Sequence, residues 1–364
     1  MSDHPLTRRA LLLGAAAGVA AFAEGCTANA TGSPPDPSTS PTLLARTGTT
    51  APIPAATPSS PSPTRKPPDP AKVKANELGT VPVMMYHRLT SDPGEYDMTP
   101  AAFRAQVRRL LHSGYRPIDA RDLARGRVDV PAGTTPVVLT FDDGSPGQFA
   151  LGPDGRLDPS CAAGILTAEC AKVPGAQPRA TFYINRAPFG LRSEQQQRRS
   201  LRALLELGFQ LGNHTFDHAN LATLSDAGVA EQFAQLQRLV ARLAPSADLS
   251  TMALPLGVAP RHSRLARTGS WRGTSYAFAI TLLVGANPSR SPFDADFDPH
   301  AVPRIRGTSW HGGRTPLTGT YWLNHLDAHP HERYVGAGDP GHVTVPKALH
   351  THLAARYRRR LVTY

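Results

Sequence analysis

Two short segments carry the residue types that could do chemistry. In the first, the apolar run Val137-Val138-Leu139-Thr140-Phe141 is followed at once by Asp142-Asp143-Gly144. Adjacent carboxylates raise each other's proton affinity unless a cation relieves them, which suits the pair to a metal ion or to acid–base work. Taken alone, Asp-Asp-Gly is also an ordinary turn. In the second segment, His214-Thr215-Phe216-Asp217-His218 follows the apolar stretch Phe209-Gln210-Leu211. Histidines four apart on a helical turn lie about 6 Å apart along its axis, so both rings could reach one ion. A lone histidine pair is more often surface decoration. Here a second segment also offers carboxylates after a strand, and two imidazoles with one carboxylate form an open site for zinc or a similar divalent ion.

Both segments need strands to aim them. Val81-Pro82-Val83-Met84-Met85-Tyr86-His87, Pro136 to Phe141, Ala180 to Ile184, Phe209 to Leu211, Thr251 to Leu256 and Ala277 to Val284 read as strands or buried apolar runs. Between them lie helical patterns. Thr99-Pro100 caps a helix with Phe103, Val107, Leu110 and Leu111 on one face. Leu201, Leu204 and Leu205 mark a second helix that stops at Gly208. Ser225 opens a third, in which Val229, Phe233, Leu236, Val240 and Leu243 recur by four, three, four and three. Strands alternating with helices imply parallel strands joined by crossovers, in an open sheet or a barrel. In such folds the carboxyl ends of strands are where catalytic groups gather, and both segments sit at such ends.

The 364 residues need not all fold. Residues 1–26 read as an export signal: Arg8-Arg9 precede the short apolar run Ala10 to Ala23 in the twin-arginine manner, too short and too rich in Ala and Gly for a comfortable membrane span. Cys26 stands where a lipoprotein would carry its lipid, although Ala23-Glu24 fits that pattern poorly; this is the one membrane attachment expected. Residues 27–75 form a linker rich in Pro, Ser and Thr, with a third of the chain's 36 prolines between 31 and 70. The folded domain is placed at 78–346 and a basic tail at 347–364, where the Arg356 to Arg360 cluster reads as a solvated face. A formal charge of +11 suits an anionic envelope. No nucleic-acid motif accompanies it, and nucleic acid is not an expected partner. In an exported chain Cys161 and Cys170 form an even pair, read as a disulfide in preference to a zinc site.

Thr140-Phe141-Asp142-Asp143-Gly144 together with His214-Thr215-Phe216-Asp217-His218 resembles the first two motifs of the NodB-type polysaccharide deacetylases, carbohydrate esterase family four. Val81 to Arg88, Gly212-Asn213-His214 and Asn220-Leu221 resemble the branch acting on poly-N-acetylglucosamine-like glycans. The resemblance covers roughly 80–346, strongly in its first half and loosely after 260. It implies a distorted (β/α) barrel and a divalent metal ion, zinc first, held by Asp143, His214 and His218. Asp142 would be the catalytic base. The implied activity is removal of N-acetyl groups from a cell-envelope or extracellular N-acetylhexosamine polysaccharide by an exported, monomeric enzyme.

Three departures accompany the resemblance. Where the family has Arg-x-Pro-x-Gly, with Arg orienting the base, this chain has Ala253-Leu254-Pro255-Leu256-Gly257. The Leu256 N–H could still face an oxyanion. Arg304 is a candidate substitute for the missing Arg, against a plainer reading as a surface or structural residue. The motif that supplies the general acid is matched only by Trp322-Leu323-Asn324-His325, making His325 the candidate, with His311, His329 and His331 as competitors. The stretch from Gly144 to Val173 is an insertion that could shape the groove rim. Trp310 and Trp322 are candidates to stack on sugar rings, against an equal claim from packing. His87 reads as a strand-end residue near the site, and Asp217 as facing water or a ligand histidine. Two rivals remain: a non-catalytic glycan-binding lipoprotein on the same scaffold, and a hydrolase of a small acetylated amide or ester, which would need a closed pocket.

Overall fold

The computed structural model describes residues 68–308 and 317–364. The export signal, Cys26, most of the linker, Trp310 and His311 therefore lie outside the described residues.

The strands run β1 (Val83–Tyr86), β2 (Tyr115–Ile118), β3 (Thr135–Phe141), β4 (Thr181–Ile184), β5 (Gln210–Asn213), β6 (Thr251–Ala253), β7 (Thr268–Trp271), β8 (Thr274–Ala277), β9 (Ile280–Leu282), β10 (Ile305–Arg306), β11 (Val343–Val345) and β12 (Leu361–Thr363). The helices are α1 (Pro70–Val73), α2 (Pro100–His112), α3 (Ala120–Arg125), α4 (Ala162–Cys170), α5 (Glu194–Glu206), α6 (Asp226–Leu243) and α7 (Gly319–Ala328). Eight strands form one parallel sheet in the order β10-β1-β3-β4-β5-β6-β9, with β2 also on β3. All seven residues of β3 are buried, as expected of a strand with both faces covered.

This sheet curls towards closure through one stretch of chain. Val302 bridges Leu282 beside β9, and three residues later Ile305 and Arg306 pair with Met84 and Met85 of β1. The same segment thus touches both edges of the sheet, giving a distorted (β/α) barrel with the crossover helices outside. Because the strands are parallel, His87, Asp142, His214, Leu254 and Leu283 all follow strand ends at one rim.

Local chemistry explains the helices that place this rim. Thr99 Oγ1 accepts the Ala102 N–H at 3.1 Å, with Pro100 in the first turn of α2. Ser225 Oγ accepts the Gly228 N–H at 3.2 Å, and α6 buries Val229, Phe233, Leu236, Val240 and Leu243. The hairpin β7–β8 turns at Arg272 (φ 44°) and Gly273 (φ 77°), both left-handed, as a two-residue turn requires.

Two expectations are corrected. Cys161 and Cys170 are buried free thiols, not a disulfide. They cap and end the same helix: the Gly164 N–H reaches Cys161 Sγ at 3.4 Å, and Cys170 is the last residue of α4. Nine residues of helix separate them by about 13 Å, roughly twice what a disulfide spans. Residues 347–364, read as a solvated tail, instead fold back: β12 pairs in parallel with β11, and Leu353 is buried. Tyr364 Oη also donates to Ala75 O at 2.7 Å. Order likewise begins before 78, at α1, whose Asp69 cap accepts the Ala71 N–H at 3.0 Å.

Candidate active site

His214 follows β5 and is buried, its Nδ1 2.8 Å from the Ala253 carbonyl oxygen. A carbonyl only accepts, so Nδ1 carries the proton and Nε2 presents its lone pair to the rim. The expected helical turn between the histidines is absent. Thr215 (φ 64°) and His218 (φ 54°) are both left-handed, and the loop folds the second ring back until the ring centroids are 5.0 Å apart. Side-chain hydrogen bonds hold this strained loop. Asn185 Nδ2 donates to the carbonyls of His214 and Thr215 at 2.7 and 2.9 Å, and Asn213 Oδ1 accepts the Thr215 N–H at 2.9 Å.

Asp143 (φ 73°) and Gly144 (φ 58°) are consecutive left-handed residues, which swing the chain away from β3 and turn the Asp143 carboxylate across the rim. Its Oδ1 lies 3.4 Å from both His214 Nε2 and His218 Nε2. One ligand atom from each of the three residues lies within 4.8 Å of the others. Two neutral imidazole nitrogens and a carboxylate oxygen, one ring fixed in the donating tautomer, make a donor set that fits a divalent cation of the zinc type.

Asp142 points the other way, into the barrel. Arg304, fully buried, grips it with two parallel bonds, Nη1 to Oδ1 and Nη2 to Oδ2, each 2.7 Å. Arg304 is itself tied by Nε to Leu283 O at 2.9 Å and by Nη1 to Thr140 Oγ1 at 3.2 Å. Burial alone would raise the Asp142 pKa; the charge and hydrogen bonds of Arg304 outweigh it and hold the carboxyl below the usual range. The plainer reading of Arg304 as an ordinary surface or structural residue therefore gives way: it orients the carboxylate beside the triad. Ala253 leaves no side chain for that task, and its carbonyl serves His214 instead.

These groups share a cleft of about 500 Å³ with His87, Arg88, Tyr96, Asp97, Leu254, Leu256 and Val284. His87, read as a strand-end residue near the site, lines the cleft. The signal was register: Tyr86 pairs with Phe141, so the next residues, His87 and Asp142, emerge side by side. The Nδ1 of His87 is buried with no hydrogen-bond partner. Burial lowers its pKa, opposed by the charges of Asp142 and Asp143. The cleft rim is apolar, since Leu256, Tyr96 and Val284 are three of the six exposed large hydrophobic residues among those described. Leu256 (φ 57°) stands at 60% exposure on the turn Pro255–Gly257, and its N–H takes no part in the Gly257-to-Leu254 and Val258-to-Pro255 bonds that close the turn.

Several sequence candidates are not brought here. His325 lies on α7 with Nε2 2.9 Å from Glu332 Oε2, and it does not line the cleft. Trp322 packs partly buried against the core and donates from Nε1 to Ala286 O. Asp217 pairs with Arg186 at 2.9 Å and accepts from Gln232 at 3.0 Å, its carboxylate taken up by these partners and not by a ligand histidine. The insertion after Gly144 lines a separate hollow through Pro146 and Phe149 to Pro153.

A family model described as polysaccharide deacetylase matches residues 129–268, a span that contains both motifs and ends before Arg304. No curated protein matches the chain. Among solved structures, the Streptococcus pyogenes deacetylase PplD in complex with acetate is 16% identical with a TM-score of 0.48, covering 67% of this chain and 97% of that one. IcaB from Ammonifex degensii is 19% identical with a TM-score of 0.47, covering 64% and 93%. A polysaccharide deacetylase from Bacillus cereus is 17% identical with a TM-score of 0.48, covering 68% and 69%. The matched span carries Asp142, Asp143, His214 and His218 at its strand ends, so residues 129–268 are similar to the polysaccharide deacetylase family over the stretch that builds the site.

Proposed function

We propose that the chain is a metal-dependent hydrolase that removes N-acetyl groups from an N-acetylhexosamine polysaccharide of the cell envelope or extracellular space. The observation that carries this reading is the convergence of Asp143, His214 and His218 within 4.8 Å, beside a carboxylate that Arg304 holds off the cation position. A module that only bound glycan would have no use for that fourth group. The feature that favoured such a module, the missing Arg at 253, is met by Arg304.

Asp143, His214 and His218 would hold a divalent cation, which would supply Lewis-acid activation of the acetamide carbonyl and of the attacking water. The protein's own residues do the rest. Asp142, ionised and fixed in two bonds, keeps oxygen lone pairs free to take a proton from the attacking water. Leu256 lines the same cleft, and its N–H donates to the developing oxyanion in this reading. His87 returns a proton to the departing amine; among the described residues it is the one imidazole of the cleft outside the triad. Leu256, Tyr96 and Val284 offer apolar faces to a pyranose ring. The triad is partly open, with Asp143 and His218 side chains 38% and 36% exposed, which suits a sugar within a chain better than a small enclosed amide.

Zinc is the first choice of cation for two imidazoles and a carboxylate. Export, lipid attachment at Cys26 and a monomeric state accompany this proposal on the strength of the sequence alone; among the described residues no helix is long and apolar enough to cross a membrane. Acetate release from chitooligosaccharides and from a cell-wall glycan tests the reading. Chelation should abolish release and zinc should restore it, and His214→Ala should be inactive. Undiminished release by His214→Ala would end the proposal.

A further inference from the structure

A second grouping of two imidazoles and a carboxylate stands outside the cleft. His325 lies on the last turn of α7, His329 caps that helix, and Glu332 ends the tight turn Pro330–Glu332 that follows. One ligand atom from each lies within 4.8 Å of the other two. The rings of His325 and His329 stack with centroids 4.3 Å apart. His329 Nδ1 is 2.8 Å from the His325 carbonyl oxygen, so it donates there and leaves Nε2 with the lone pair. This is the device that prepares His214 in the cleft.

Glu332 completes the set. Its Oε2 is 2.9 Å from His325 Nε2, and among the described residues its carboxylate pairs with no Arg or Lys. Two ligands of a tetrahedral zinc with bonds near 2.0 Å stand about 3.3 Å apart, so a few tenths of an ångström of opening admit the ion. The backbone beneath is anchored. Thr80 donates to Glu332 O through its N–H at 2.7 Å and its hydroxyl at 3.0 Å, and Asn76 Nδ2 donates to His331 O at 3.0 Å. Glu332 N–H in turn reaches His329 O at 3.0 Å. Ligands on an anchored backbone lose little freedom when an ion binds.

We propose that His325, His329 and Glu332 form a second divalent-cation site, of the zinc type, that ties the end of α7 to the chain leading into β1. None of the three lines the cleft at the barrel rim, and we assign the site a structural role. Nothing in this inference depends on the function proposed for the cleft.

Metal counting on the chelator-stripped full chain tests it, by equilibrium dialysis against zinc with elemental analysis of the protein. The unaltered chain should take two equivalents. The His329→Gln/Glu332→Gln variant should take one, with affinity at the lost site down at least roughly 100-fold. The His214→Ala/His218→Ala variant should also take one, and zinc should still raise its Tm. Both ligands changed at α7 are half-exposed, and circular dichroism checks that the fold persists. No equivalent bound by His214→Ala/His218→Ala, undiminished zinc binding by His329→Gln/Glu332→Gln, or no zinc-dependent rise in Tm for His214→Ala/His218→Ala would each overturn the proposal.

Discussion

The rim of the barrel and the end of α7 present the same three ligand types in different settings. At the rim, His214 is buried, Asp143 and His218 border a cleft of about 500 Å³, and a fourth group, Asp142, is locked alongside by a buried arginine. At α7, all three residues are half-exposed and none of them lines that cleft. The ligand set alone therefore does not distinguish chemistry from cross-linking. What distinguishes them is the neighbour that is not a ligand and the space above it.

The sharpest way to break this contrast is to remove that neighbour. Asp142→Asn keeps the shape but loses the proton acceptor, and should lower kcat for acetate release by about 10³- to 10⁴-fold while zinc stoichiometry is unchanged. Comparable turnover by the variant would place the rim site with the structural one. His87→Gln comes next, with a loss of about 10²-fold in kcat, whereas His325→Gln should leave kcat within about twofold. The reverse ranking would return the acid to α7. Arg304→Met leaves a buried carboxylate without its partner, and denaturant titration should show a loss of about 3–5 kcal/mol in unfolding free energy. A stability equal to that of the unaltered chain would mean the arginine does not hold Asp142 in solution.

A smaller effect separates the rim carboxylate from one behind the barrel. Glu77, 4% exposed, has its pKa raised to about 7 by burial, despite bonds from the Ala337 and Thr344 N–H groups. The folded state then holds a proton that the unfolded chain has lost between its usual carboxyl pKa and about 7. That contribution to stability is complete at low pH and declines as pH rises through this window. Asp142 behaves oppositely, its lowered pKa stabilising the fold above the usual carboxyl range and not below it. Glu77→Gln should therefore flatten the decline in Tm between pH 5 and pH 8; an unchanged slope would contradict the assignment.

Much of the fold was legible because periodicity and capping agree. The pattern of α6 and the Thr99-Pro100 start of α2 appear where the spacing places them. The four residues Asp142, Asp143, His214 and His218 were legible because each pair interrupts an apolar run at a strand end. Three things were not. The histidine spacing suggests a helical turn, but left-handed backbone at Thr215 and His218, held by the side chains of Asn185 and Asn213, achieves the convergence instead. Arg304 was legible as a candidate substitute for the missing Arg, but its burial on Asp142 was not: it lies over 160 residues away, and only the near-closure of the barrel by Val302 to Arg306 brings it there. Cys161 and Cys170 read as a pair until a helix fills the interval between them.

Anomalous diffraction at the zinc edge, from crystals grown with the metal, tests the central claim most directly. The account predicts a peak bonded to Asp143 Oδ1, His214 Nε2 and His218 Nε2, with Asp142 still on Arg304 and outside bonding distance. A rim without a peak, or a peak bonded to Asp142 in place of Asp143, would contradict it.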